Sequence, residues 1–358
     1  MNRDHEKILI VTAGLIIGII SALLVKFGNP ANMGFCIACF IRDTAGGLGL
    51  HQAKAVQYIR PEIIGLILGS FFMALISKEF KSRGGSAPLT RFVLGFFVMV
   101  GALMFLGCPF RMVLRIAGGD LNAIIGLVGF FIGILIGIWF LNRGYSLKKS
   151  YQLAASDGLI MPVIQVILLV LVTMAPAFIF FSSNYGDDVK GPGKAHAAII
   201  VSLIAGLIVG ALAQKTRFCM VGGLRDLILF KETKLLLGFA AVIFSALLVN
   251  ICIGKFNLGF TDQPVAHNDF LWNALGMLLV GFASILLGGC PLRQLILTGE
   301  GNTDSAVTVL GLTAGAAFCH NFGLASSAAG PTANGKLAVL LGLIITAIIG
   351  FANSRKEA

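Results

Sequence analysis

Ten apolar runs, each near the length that crosses a bilayer, restrict this chain to a membrane. They occupy residues 8–26, 61–78, 91–107, 121–141 and 160–182 in the first half. In the second half they occupy 196–214, 235–254, 271–288, 305–322 and 336–353. A spanning helix needs about 20 mostly apolar residues. Only 12% of the residues are charged, against about 25% in a soluble domain, too few to cover a globular surface. The 45 glycines suit close helix packing in lipid. The net charge of +11 does not indicate a nucleic-acid partner, because the basic residues lie between apolar runs and serve membrane orientation. The expected fold is an all-α integral membrane protein.

The chain also repeats itself. Ala13-Gly14-Leu15-Ile16-Ile17-Gly18 recurs as Ala205-Gly206-Leu207-Ile208-Val209-Gly210. The first run therefore reads as part of a repeat and not as a signal peptide, and no A-x-A-like site closes it. Five runs per half is an odd number, so the second repeat enters the membrane upside down, a recurring transporter design. With the N-terminus in the cytoplasm, 17 Lys and Arg fall inside, including Arg3, Arg355 and Lys356, and 10 fall outside. The outer ten are Lys26, Arg42, Lys54, Arg60, Arg111, Arg115, Lys190, Lys194, Lys255 and Lys336. This bias follows the positive-inside rule, and both termini then face the cytoplasm. Asp187, Asp188, Asp262 and Asp269 also fall outside. The organisation expected is a first repeat core over 1–141 and a cytoplasmic linker over 142–159. A fifth span with an external loop follows over 160–195, and a second repeat over 196–358.

Four apolar segments are too short to cross: 34–46, 109–119, 218–230 and 291–299. Gly or Pro bounds each, which predicts re-entrant helices and an hourglass-like core. Two motifs sit on them, each present twice. Gly107-Cys108-Pro109-Phe110-Arg111 matches Gly289-Cys290-Pro291-Leu292-Arg293. Pro is favoured in the first helical turn, so Cys108 and Cys290 read as N-caps, where unpaired N–H groups and the helix dipole attract anions. Arg111 and Arg293 add a planar donor fork. A buried cysteine before a helix-starting proline is the bland alternative, but two copies at matching places favour a role on a pathway.

The second motif is Phe35-Cys36-x5-Arg42-Asp43, matched by Phe218-Cys219-x5-Arg225-Asp226. Cys36 and Cys219 join the pathway set. Each Arg–Asp pair reads either as functional, because intramembrane charges usually are, or as a tie that anchors the re-entrant segment. Cys36 and Cys39 form a C-x-x-C, open to redox or metal readings, but the second half lacks the partner cysteine and no zinc set accompanies it. Gly118-Gly119-Asp120 and Glu300-Gly301-Asn302 are expected to end the short helices, with Glu300 and Asp304 read as solvated loop and, as the alternative, as gating or lining an entrance. Cys252 and Cys319 read as core, and His320 as no ligand. No metal or cofactor is expected.

These motifs resemble the YeeE/YedE family of sulfur-compound transporters. The resemblance rests on Phe35-Cys36, Gly107-Cys108-Pro109-Phe110-Arg111, Arg217-Phe218-Cys219 with Arg225-Asp226, and Gly289-Cys290-Pro291-Leu292-Arg293-Gln294 running to Asn302. It covers nearly the whole chain and is strongest with the selenium-metabolism YedE branch. It implies an inner-membrane permease, not an enzyme, for a small selenium- or sulfur-containing anion. In such relatives central cysteines pass the substrate through S–H···S contacts, a role that falls by motif on Cys108 and Cys290, flanked by Cys36 and Cys219. A small TusA-like sulfur-carrier protein is the implied cytoplasmic partner. Thiosulfate uptake, and a membrane thiol or persulfide redox activity built on Cys36 and Cys39, are the alternatives. The bulky cation in Gly-Cys-Pro-x-Arg departs from thiosulfate-type members.

Overall fold

A computed structural model describes residues 3–186 and 188–354. Asp187, Arg355 and Lys356 of the charge count lie outside the described residues. Fourteen α-helices follow in order among those residues. In the first half they are α1 (Arg3–Lys26), α2 (Ile37–Gly47), α3 (Pro61–Ile76), α4 (Pro88–Phe105), α5 (Pro109–Ala117), α6 (Asn122–Asn142) and α7 (Ala155–Met174). In the second half they are α8 (Ile199–Lys215), α9 (Met220–Phe230), α10 (Lys234–Cys252), α11 (Phe270–Leu286), α12 (Pro291–Gly299), α13 (Thr303–Asn321) and α14 (Ala333–Ala352). The sheet is two residues per strand, Arg83–Gly84 against Tyr151–Gln152. The protein is an all-α membrane protein with short helices at all four expected places. The fifth run is displaced: α7 starts at Ala155 and stops at Met174, where Pro176 opens a short 3₁₀ turn. Proline has no N–H to continue the helical ladder.

Contacts at the helix ends define two faces. At the face holding the start of α1, Lys234 pairs with Glu6 at 2.7 Å. At the far face the Asn29 side chain donates to Glu62 at 2.8 Å and accepts from the Ala197 N–H at 2.9 Å. The end of α1 thus meets the starts of α3 and α8. Back at the N-terminal face, Arg217 after α8 pairs with Glu79 after α3 at 2.8 Å. Repeat partners α1 and α8 therefore run in opposite senses, which is the inversion that an odd span count requires. The packing obeys the same exchange. α1 lies on α10 as α8 lies on α3, and α6 lies on α11 as α13 lies on α4, with α4 against α11 at the centre.

Nine helical stretches among the described residues are long and apolar enough to cross a membrane. The tenth long helix, α13, is less apolar because Thr303, Asp304, His320 and Asn321 occupy its ends. It still joins the faces. Asp304 accepts the Ser86 N–H at 3.0 Å near one, and Asn321 donates to the Leu50 carbonyl at 2.9 Å near the other. Its polar residues are held by protein, so the segment needs less hydropathy than a lipid-facing helix.

Close backbone approach holds the α3–α8 pair. In lipid, helices gain little from hydrophobic burial against one another, and small residues that permit contact take over. At Gly210 a Cβ would stand 2.2 Å from the Leu66 carbonyl oxygen. Gly210→Val is expected to cost about 1–3 kcal/mol by overpacking, read as a lowered thermal midpoint in detergent.

Candidate functional site

Each of the four short helices begins at a cysteine. A helix that starts inside a membrane leaves its first N–H groups without water. The Cys36 sulfur accepts the Cys39 N–H at 3.3 Å at the start of α2, and the Cys219 sulfur accepts the Gly222 N–H at 3.3 Å at the start of α9. Cys108 and Cys290 hold the N-cap positions of α5 and α12, followed by Pro109 and Pro291, and their thiols make no capping bond. The capping role of Cys36 and Cys219 was not read from the sequence; its signal was the doubled position just ahead of each short segment.

The thiols fall into two pairs. Cys219 and Cys290 stand 3.7 Å apart, sulfur to sulfur. Cys36 and Cys108 are likewise side-chain neighbours. α2 and α5 run outward to the far face, and α9 and α12 to the N-terminal face, so one pair belongs to each half of the hourglass. All four cysteines are buried, and all seven in the chain are free thiols. Cys39 lies 3.9 Å from Arg111 Nη1 and from the Leu106 carbonyl, on the far-face pair's side. Cys319 is buried, but Cys252 is exposed and corrects the core reading, because it ends α10 at the far face. Among the described residues no three His, Cys, Asp or Glu are grouped to hold a metal.

The two motif arginines differ in their counter-charges. Arg293 Nη1 donates to Glu300 at 2.9 Å, and Arg217 reaches the same carboxylate at 3.0 Å. Glu300 is only 5% exposed and Asp304 3%, so neither lies in solvated loop. The end of α12 packs under α3, where Gly299 meets the Ile67 carbonyl. Arg111 is fully buried. It donates to the carbonyls of Asn32 at 3.2 Å, Leu106, Pro264 at 3.2 Å and Val265 at 3.3 Å. No carboxylate pairs with it among the described residues, and a guanidinium keeps its charge under burial. Arg111 is therefore a buried cation that carbonyl dipoles solvate without neutralising.

Arg42 and Asp43 lie mid-helix in α2 and pair at 2.6 Å. Asp43 also takes Arg60 at 2.7 Å, and Arg60 continues to the Pro192 and Ala195 carbonyls. This ties the re-entrant segment to its neighbours. The matching Arg225–Asp226 pair, at 2.7 Å, is 34% and 23% exposed. Arg60 and the buried Arg115–Asp120 pair, 2.6 Å apart, were not singled out from sequence. Each announced itself only as a charge beside an apolar run. The His320 ring lies 4.7 Å from that of His51, tilted by 31°.

A cavity opens at each end. At the far face one of about 510 Å³ is lined by Arg42, Leu106, Lys190, Val265, Cys319 and His320, among others. At the N-terminal face one of about 290 Å³ is lined by Lys78, Glu79, Lys81, Arg83, Arg217 and Glu300. Both carry excess positive charge, as an anion's approach requires.

The model of a family described as sulphur transport matches residues 5–109 and 215–353. The chain belongs to this family. Both matched stretches include a cysteine pair, Cys36 with Cys108 and Cys219 with Cys290. A thiosulfate transporter of Escherichia coli strain K12, TsuA, is 30% identical over 117 residues, 31% of this chain and 31% of that protein. The aligned part thus spans about a third of that relative. Family membership and the spanning helices make this a multi-pass membrane protein of the sulphur-transport family.

The two Arg–Asp pairs give an internal comparison. Asp43→Ala leaves two buried guanidiniums unpaired and is expected to cost about 3–5 kcal/mol. Asp226→Ala breaks a part-exposed pair and is expected to cost under about 1 kcal/mol. Thermal unfolding of the two purified variants measures the difference.

Proposed function

We propose that this protein is a permease that carries a small selenium- or sulfur-containing anion across the membrane along its central thiols. The observation that carries this is the pair of thiol pairs, each at the N-termini of two short helices and each with an arginine one turn inside. Thiols are soft and polarisable, matching sulfur or selenium better than a hard oxyanion. Helix N-termini and Arg111 supply the positive field. Thiosulfate is the first alternative substrate, by analogy with the named relative.

The anion enters at the far face and leaves at the N-terminal face, in an inner membrane with both termini in the cytoplasm. Burial supports this orientation. Of the ten basic residues on the far-face side, Arg42, Arg60, Arg111 and Arg115 are buried. Loop charge on that side is therefore lower than a sequence count suggests, and the positive-inside bias is stronger. The basic cavity at the N-terminal face suits handover to a TusA-like sulfur-carrier protein.

Uptake of radiolabelled selenite, selenide and thiosulfate into proteoliposomes tests the reading. Cys108→Ala and Cys290→Ala are each expected to abolish uptake with the helical circular dichroism spectrum retained. Full uptake in both would remove the thiol path. Cys39→Ser is expected to keep uptake; its loss would favour a disulfide-cycling redox mechanism. Cysteine labelling from each side of oriented vesicles checks the sidedness. A single-cysteine probe at Lys215 should react only from the cytoplasmic side.

A further inference from the structure

Three non-glycine residues with left-handed backbone turn their carbonyls onto one guanidinium. Asn32 has φ 56°, Leu106 φ 61° and Val265 φ 50°. Their carbonyl oxygens accept from Arg111, with Pro264 as the fourth acceptor. A leucine, and more so a β-branched valine, avoids this region because its Cβ crowds the backbone. Such strain persists only where surrounding structure holds it, and it gathers at functional sites.

The internal repeat shows what Leu106 adds. By the same 182-residue offset that relates Cys108 to Cys290, Leu106 corresponds to Gly288. Both occupy the left-handed turn that ends a long helix, Gly288 at φ 80°. Glycine is the ordinary residue there. A Cβ at Gly288 would meet nothing within 4 Å, so the half at the N-terminal face leaves this space open. In the far-face half the Leu106 side chain fills it, 3% exposed. Leu106 lines the far-face cavity together with Val265 and Arg42. Its carbonyl also lies 3.9 Å from the Cys39 sulfur.

We infer that Leu106 is the barrier between the far-face cavity and the Cys36–Cys108 thiols, and that Arg111 latches it by holding the strained carbonyls of Asn32, Leu106 and Val265. The inference deepens the permease reading and rests on it for what passes. An apolar plug blocks water and hydrated ions. An anion that draws the guanidinium off its carbonyls removes the hold on the strained turns. The half at the N-terminal face uses another closure: Glu300 pairs with Arg293, and no side chain fills the turn at Gly288. The two ends are thus closed by different chemistry, apolar with a free cation on one side and ionic on the other.

The test is thiol labelling in oriented vesicles, with Cys252→Ser and Cys319→Ser as background and a membrane-impermeant methanethiosulfonate added at the far face. Adducts at Cys36, Cys39 and Cys108 are mapped by mass spectrometry. Leu106→Gly keeps the left-handed turn without the plug, and Leu106→Asn keeps it with a wettable side chain. Both are expected to label about tenfold faster or more than the background, the scale of removing one buried side chain from a barrier. Arg111→Gln is expected to label faster while losing anion uptake, two readouts that move in opposite directions. Background-rate labelling in both Leu106 variants would overturn the barrier, and background-rate labelling in Arg111→Gln would overturn the latch. Labelling needs no substrate. Faster labelling in a protein that carries none of the tested sulfur or selenium anions would uphold the barrier and reject the permease reading.

Discussion

A helix that begins within a bilayer exposes N–H groups where no water can meet them, and the rest of this structure is arranged around four such beginnings. Soluble proteins meet this need with Ser, Thr, Asp or Asn. Here Cys36 and Cys219 supply a sulfur, a weaker acceptor, at the same position. A weaker cap leaves the helix start less satisfied and so more receptive to an arriving anion. Proline at the first turns of α5 and α12 removes one of those N–H groups outright. The two devices alternate, a thiol cap on one short helix and a cysteine–proline start on the next, in each half.

Duplication explains the frame but not the chemistry of its two ends. The same motif places Arg111 and Arg293 one turn inside their helices, yet among the described residues only Arg293 has a carboxylate. The same Arg–Asp pair is sealed by Arg60 in one half and left part-exposed in the other. An inverted repeat must present one copy to each side of the membrane, and the two sides offer different solvents, charges and partners. The divergence between copies is therefore what makes the two faces unlike.

Much of this frame was legible in the residues. Ten long and four short helices follow from run length, and the inversion follows from an odd count. The doubled cysteines marked the starts of the short helices. What was not legible required contacts between distant segments. Arg60 reads as a loop charge until Asp43, 17 residues earlier, is seen to meet it. Glu300 reads as solvated because Gly301 and Asn302 follow it, and only the packing of α12 under α3 encloses it. The strained turn at Leu106 was hidden by an ordinary apolar residue, and comparison with Gly288 needed the backbone angle of both.

The unequal burial of the ion pairs makes the two faces unequal in their response to ionic strength. Mobile ions screen exposed charges within a Debye length of about 8 Å at physiological salt, and buried pairs far less. Arg217, 48% exposed, shares Glu79 and Glu300 at the N-terminal face. Arg60 and Asp43, fully buried, hold the far face. Concentrated electrolyte on the N-terminal side weakens the exposed Arg217–Glu79 pair, while the same solution on the far side leaves the Asp43 cluster intact. Salt therefore weakens the exposed pairing at the N-terminal face more than the buried pairing at the far face.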